Sequence, residues 1–172
     1  MKKLIALVLS LLAVSSLVAG CSSGKGTTVN SGEKSVTFSL LSSPASLDPA
    51  TTTDGHSLMV ETQLFSMLVE SKGGTSNEIK PDIAESWEIS EDGLTYTFKL
   101  RDDVYFHNGK LLTADDVVYT FNRVMTEPYT SYYAAPIKSV EATDEHTFVA
   151  HLNYPFADFL TLVGGIYFGI CC

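Results

Sequence analysis

Apolar and polar residues alternate with a period of two along Leu94-Thr95-Tyr96-Thr97-Phe98-Lys99-Leu100-Arg101. Successive side chains of a strand point to opposite faces. The segment therefore predicts a half-buried strand with Leu94, Tyr96, Phe98 and Leu100 facing a core. Glu91-Asp92-Gly93 just before it predicts a turn, because Asp-Gly suits positive φ. Asn108-Gly109 is a second hairpin signal. Trp87-Glu88-Ile89 reads as strand, following one short helical turn over Ile83–Ser86. Ile137–Ala142 and Thr147–Leu152 read as two more strands around Thr143-Asp144-Glu145. Val36–Leu41, rich in strand formers, predicts the first strand of the chain.

Elsewhere the spacing becomes helical. Met59, Leu64, Phe65 and Leu68 fall roughly on one face of a helix running from Asp54 or Gly55 to about Leu68, and Gly73-Gly74 breaks the pattern. Val117, Phe121, Val124 and Met125 mark a second helix, which Pro128 ends. Thr113 is placed to accept from a free N–H of its first turn, and Asp115 and Asp116 sit at the positive end of its dipole. After the break at Tyr154-Pro155, Ala157–Val163 predicts a third helix. The sum is α/β in class, mixed α+β in detail, with hairpin-connected strands and interspersed helices.

The chain begins in another register. Lys2 and Lys3 precede an apolar run from Leu4 to Val18 that is too short for a stable membrane span, which is the layout of an export signal. Leu17-Val18-Ala19-Gly20-Cys21 resembles a bacterial lipobox, so Cys21 is the expected first residue of the mature protein and the site of lipidation. Ser22-Ser23-Gly24-Lys25-Gly26-Thr27-Thr28 reads as a flexible tether, which suits an anchored cysteine. A buried methylene contributes about 0.8 kcal/mol, so more than one acyl chain is needed for stable anchoring.

At 45% hydrophobic residues the chain has enough apolar material for a packed core. It carries 11 basic and 20 acidic residues. Two of the lysines precede Cys21, so the mature part is more acidic still. That balance argues against nucleic acid and against charge-driven binding to anionic lipid. Of the three cysteines, Cys171 and Cys172 are adjacent and near no other ligand, so neither a disulfide framework nor a metal site is expected. The surrounding stretch, Gly164 to Cys172, is almost wholly apolar. It is read as truncated, or as having left an expected frame, with Ile166–Ile170 left uncovered.

Motifs for catalysis are few. The chain holds no Gly-x-Ser-x-Gly elbow and no phosphate-cradling loop. Asp102-Asp103 and Asp115-Asp116 read as solvated or capping acids. His146 and His151, five apart on a strand, point to opposite faces and cannot share an ion. The aromatic group Tyr129, Tyr132 and Tyr133 follows a helix in a loop, where rings have less reason to be core.

The ordered series Leu47-Asp48-Pro49, Pro81-Asp82-Ile83-Ala84-Glu85-Ser86-Trp87-Glu88, Glu91-Asp92-Gly93-Leu94-Thr95-Tyr96-Thr97-Phe98, Phe106-His107-Asn108-Gly109 and Leu112-Thr113-Ala114-Asp115-Asp116-Val117-Val118 resembles the family 5 extracellular solute-binding proteins of bacterial ABC importers. The resemblance runs from about Val36 to about Val163. It implies a two-lobed, periplasmic-binding-protein-like fold, of which only the N-terminal part of the first lobe is present. The implied divisions are a lipoprotein signal peptide over 1–20 and a tether over 21–34. The start of lobe I follows over 35–47, a family-specific subdomain over 48–152 and a return into lobe I over 153–172. In this family Phe106-His107-Asn108-Gly109 is a structural hairpin, and Trp87 belongs to a packing motif.

The resemblance implies capture of a solute rather than chemistry, with no cofactor. The solute is released to an ABC permease, and the protein sits lipid-anchored on the extracytoplasmic side of the cell membrane. Pro128-Tyr129-Thr130-Ser131-Tyr132 resembles peptide-binding members, which place the first tyrosine at the ligand cleft. The loop matching Thr53, Asp54, Gly55 and His56 lines the cleft in the same relatives, although Thr53 stands where some have an acid. Oligopeptides are therefore the expected ligand, with nickel or another small solute as the alternative. Two other readings stay open: a truncated, non-binding lipoprotein, and a lipid-anchored hydrolase using His107 with an acid.

Overall fold

The computed structural model describes residues 36–71 and 78–172. The signal segment, Cys21, the tether and Gly73-Gly74 lie outside the described residues. The protein divides into two units, Met1–Phe38 and Ser39–Cys172. Of the first, only residues 36–38 are described, and they are exposed chain without regular structure.

In the second unit the elements run α1 (Gly55–Glu61), β1 (Val69–Ser71), β2 (Ile79–Pro81), β3 (Ala84–Ile89), β4 (Thr95–Leu100), α2 (Ala114–Thr126), β5 (Ile137–Asp144), β6 (Thr147–Leu152) and α3 (Phe159–Val163), with a 3₁₀ turn over Ile166–Phe168. The sheet at its centre is antiparallel throughout, in the order β3-β4-β6-β5. β1 and β2 form a separate antiparallel pair. The alternation in β4 holds: Tyr96, Phe98 and Leu100 are buried while Lys99 is exposed. Phe98 pairs with Phe148 across to β6. From α2, Phe121 packs on Phe148 with ring centres 4.7 Å apart and on Phe168 at 4.9 Å. Tyr96 meets Phe159 of α3 at 4.5 Å. The core thus lies between α2, the inner face of the sheet and the returning tail. Gly93 and Gly109 adopt φ of +68° and +83° in their turns, a region side chains disfavour.

Several expectations need correction. Val36–Leu41 is not a strand, and Val36, Phe38 and Leu41 are 96, 70 and 98% exposed. Strand propensity produces a strand only where a ladder partner exists, and no described strand pairs with this segment. The first helix stops at Glu61 rather than near Leu68. Beyond it the carbonyls of Met67 and Leu68 accept from Ile83 and Ala84 at 3.1 and 2.9 Å. Chain committed to those bonds cannot continue a helical ladder, so Leu68 is buried by the sheet while Met59 and Leu64 stay half-exposed. Ala84–Ser86 is strand, not helix, because Ala84 pairs with Leu100, with a bulge before Ser86.

At the start of α2 Thr113 is the N-cap residue, as expected, in a capping box with Asp116. The Asp116 carboxylate accepts from both the N–H and the hydroxyl of Thr113 through Oδ2, each at 3.1 Å, a contribution the sequence did not announce. The third helix is shorter than Ala157–Val163, beginning at Phe159. The tail is not left uncovered: Phe168 and Ile170 are buried, and the Ile170 N–H donates to the Ser66 carbonyl at 2.9 Å.

Candidate functional site

The segment from Asp48 to His56 is held by its own polar side chains. Asp48 closes a turn, its carbonyl accepting from Thr51 N–H at 3.0 Å and its Oδ1 from Ala50 N–H at 3.2 Å. Asp54 caps α1: Oδ1 accepts from the N–H groups of His56 and Ser57 at 3.2 and 3.0 Å, and Oδ2 from the Thr52 hydroxyl at 2.8 Å. Those bonds, from Ser57 foremost, hold the Asp54 carboxyl down to about 2. His56 Nδ1 lies 3.0 Å from the Ser42 hydroxyl. Ser57 is buried and its oxygen accepts from Ala45 and Ser46 N–H at 3.0 and 3.2 Å, which straps the preceding loop to the helix. Thr53 and Gly55 are exposed.

The second candidate loop follows α2. Tyr129 is 64% exposed, while its neighbour Thr130 is fully buried and donates its hydroxyl proton to the Ala50 carbonyl at 3.0 Å. One turn back in α2, Arg123 grips the Asp48 carboxylate with two hydrogen bonds. The asparate contact, foremost, raises the Arg123 pKa further. The loop bearing Thr53–His56 and the loop bearing Tyr129 are thereby tied to each other at Ala50 and Asp48. Of the other tyrosines, Tyr132 is exposed, and Tyr133 is half-buried between it and Tyr167 with ring centres 3.9 and 4.2 Å away.

A separate cavity of about 550 Å³ opens between Leu47, Phe65, Ile83, Phe106, Leu112 and Ile170. None of Thr53, Asp54, Gly55, His56 or Tyr129 lines it, whereas His107, Cys171 and Cys172 do. His146 sits at the β5–β6 turn rather than on the strand. His151 lies on β6, its Nε2 3.1 Å from Glu141 and its Nδ1 3.3 Å from the Thr95 hydroxyl. Among the described residues no cluster of three or more His, Cys, Asp or Glu side chains is arranged to hold a metal ion. Trp87 is half-buried and packs against the core.

Residues 78–170 match the bacterial extracellular solute-binding proteins, family 5. The chain belongs to this family. Among relatives, it is 40% identical over 142 residues to heme-binding protein A of Haemophilus influenzae, an alignment covering 70% of this chain and 26% of that protein. Among solved family 5 neighbours, DppA of Helicobacter pylori in complex with peptide STSA superposes with a TM-score of 0.65 at 37% identity, covering 75% of this chain and 29% of that one. NikZ of Campylobacter jejuni in complex with Ni(L-His) gives 0.63 at 32% identity, covering 76% and 26%. The chain thus spans about a quarter of the length of the relatives it matches. Its mixed α and β architecture is that of part of a periplasmic binding protein.

Sequence reasoning missed the residues that join the family 5 loops. Arg123 sits in a helix read for its apolar face, and its only signal was a lone cation among Val117, Phe121 and Val124. Thr130, between Tyr129 and Ser131, carries no signal of its own. Ser57 and Glu61 are polar residues on α1 that the structure buries completely, and nothing in their spacing announced it.

Proposed function

We propose that this chain forms part of the substrate-binding component of an ABC importer. It captures oligopeptides and passes them to a membrane permease, and it is lipid-anchored through Cys21 on the extracytoplasmic face. Thr53, Asp54, Gly55, His56 and Tyr129 contribute one wall of the solute site. The observation that carries this reading is the meeting of the two loops: Thr130 and Arg123 fix Ala50 and Asp48, so the exposed Tyr129 and the Thr53–His56 segment are displayed from one braced edge. The peptide seen with the H. pylori relative supports the ligand class.

The segment 35–47 belongs to the start of lobe I, 48–152 to the family-specific subdomain and 153–172 to the return into lobe I. Solute sites bury most of a ligand between opposing walls. Residues 36–172 on their own are therefore expected to bind weakly, and a protein of the relatives' full length tightly.

A second reading keeps the class and changes the solute, to a heme or a nickel complex. It is supported by what the H. influenzae and C. jejuni relatives are named for.

The test is a chimera in which residues 39–170 replace the matching segment of the H. pylori protein. Calorimetry against mixed tri- to pentapeptides, heme and nickel–histidine is expected to register peptide binding. Tyr129→Ala should weaken it about tenfold, equal to about 1.4 kcal/mol. Heme or nickel–histidine bound in preference to peptide would favour the second reading. Peptide binding indifferent to Tyr129 and to the Thr53–His56 loop would remove those residues from the site. Turnover of the peptides would mean the protein is an enzyme after all.

A further inference from the structure

Glu61, the last residue of α1, is fully buried, and neither carboxylate oxygen has a hydrogen-bond partner among the described residues. Buried carboxylates are normally paired, because an unpaired buried charge is costly while the neutral acid is tolerated. Two features oppose its ionisation, and two side chains of the site are already engaged elsewhere. It lies at the C-terminal end of a helix, where the free carbonyls already present negative charge. The charges that act on it among the described residues are Asp54, at the other end of the same helix, and Asp48, in the turn before it, both acids. Arg123, which holds the Asp48 carboxylate, is committed to that contact. His56, also on α1, is occupied with Ser42.

We propose that Glu61 is a proton-operated latch: neutral, it lets α1 and the attached Thr53–His56 loop close down, and ionised, it loosens both, so that solute retention falls as the medium turns from acid to alkaline. The second half rests on the reading that this loop faces the solute, and the first half does not.

Burial foremost, then the charges of Asp54 and Asp48, raises the Glu61 pKa above its ordinary value. A carboxyl with a raised pKa in the folded state favours that state at low pH. Its contribution is lost as pH rises through the folded-state pKa. The lever arm is short. Glu61 and the Asp54 cap bound one seven-residue helix, and isolated helices of that length do not persist without their attachments. Loss of packing at Glu61 is therefore transmitted to the capped end that carries His56 and Gly55.

Hydrogen exchange of the full chain, corrected for intrinsic rates and followed from acid to alkaline pH, tests the latch without any solute. In the wild type the opening constant of the α1 amides should climb about tenfold per pH unit across the Glu61 titration and then level off. Glu61→Gln, which cannot ionise, should make it flat above the acid range in which Asp54 titrates. Glu70→Gln, on an exposed strand position, should leave the climb in place. Should Glu61→Gln fail to fold, a carbon NMR titration of the wild-type carboxyl replaces it, with a pKa above the ordinary glutamate range expected. Equal pH responses in wild type and Glu61→Gln, or a Glu61 carboxyl titrating at its ordinary value, would overturn the latch. A latch that operates while peptide affinity in the chimera ignores pH would instead overturn the placement of the loop at the solute.

Discussion

Arg123 and Asp48 are joined by two hydrogen bonds, Nη2 to Oδ2 at 2.6 Å and Nη1 to Oδ1 at 3.1 Å, across 75 residues of sequence. The fork geometry suits guanidinium and carboxylate, and a lysine offers one point charge instead. Both side chains are partly exposed, at 24 and 36%, so solvent screening limits the effect. Arg123→Lys is expected to destabilise by about 1 kcal/mol, read as a lower urea midpoint with unchanged slope. No change in midpoint would mean that the pair holds nothing.

The cap of α2 allows a comparison of two substitutions. Asp116 accepts from two groups of Thr113 and pairs with Lys110. Asp116→Ala removes all three contacts and should cost about 1–2 kcal/mol. Thr113→Ala keeps the backbone N–H donor and should cost less. Denaturant melts of the two variants settle the order, and the reverse order would place the cap on the hydroxyl.

Phe121 is completely buried between Phe148 and Phe168. Truncating it to alanine leaves a cavity where three elements meet, with an expected loss of about 3–5 kcal/mol. Ile89, half-exposed at the end of β3, should tolerate the same change to within about 0.5 kcal/mol. Thermal unfolding of both variants gives the comparison, and similar losses would show that the core is not where these rings place it.

Asp54 sets an acid limb. Its folded-state carboxyl is depressed to about 2, below the ordinary value, by hydrogen bonds from Ser57 and Thr52. A depressed carboxyl stabilises the fold above its unfolded pKa, and that stability disappears as pH falls through the folded value. The N-terminal turn of α1 should survive at pH 4 and loosen as pH approaches about 2. NMR shifts of the His56 and Ser57 amides report this directly. Asp54→Asn should abolish their acid titration, and amides that titrate regardless would point to another group.

Replacing Cys21 by serine removes the sulfur that would carry the acyl chains. The variant is expected to move from the membrane fraction to the soluble one on fractionation of expressing cells. Retention of Cys21→Ser in the membrane, or mass spectrometry showing an unmodified Cys21 within an uncleaved precursor, would rule the anchor out.

Much of the sheet was legible because burial and period coincide there. Tyr96, Phe98 and Leu100 alternate with polar residues, and Gly93 and Gly109 stand where turns need positive φ. Failures came where pairing overrode local preference. Val36–Leu41 has strand composition but no partner among the described residues, and Leu68 has helical spacing but its carbonyl is claimed by Ala84. In the candidate site, Asp54 and Tyr129 are expected only through the resemblance of their loops to family members. The contacts that brace their loops, Arg123 to Asp48 and Thr130 to Ala50, span most of the chain. No local pattern encodes such pairs, since each partner looks ordinary in its own neighbourhood.

The sheet order also has a consequence for how the protein is made. β6 lies between β4 and β5, although α2 and β5 separate it from β4 in sequence. As the chain emerges N-terminus first into the compartment where it folds, the β3–β4 hairpin comes early and must keep one edge open until Thr147–Leu152 appears. Unpaired edges invite mispairing with other chains. Until Leu152 has followed Leu100 into place that edge stays open, so a chain cut after Thr126 should aggregate where the chain carrying β6 does not.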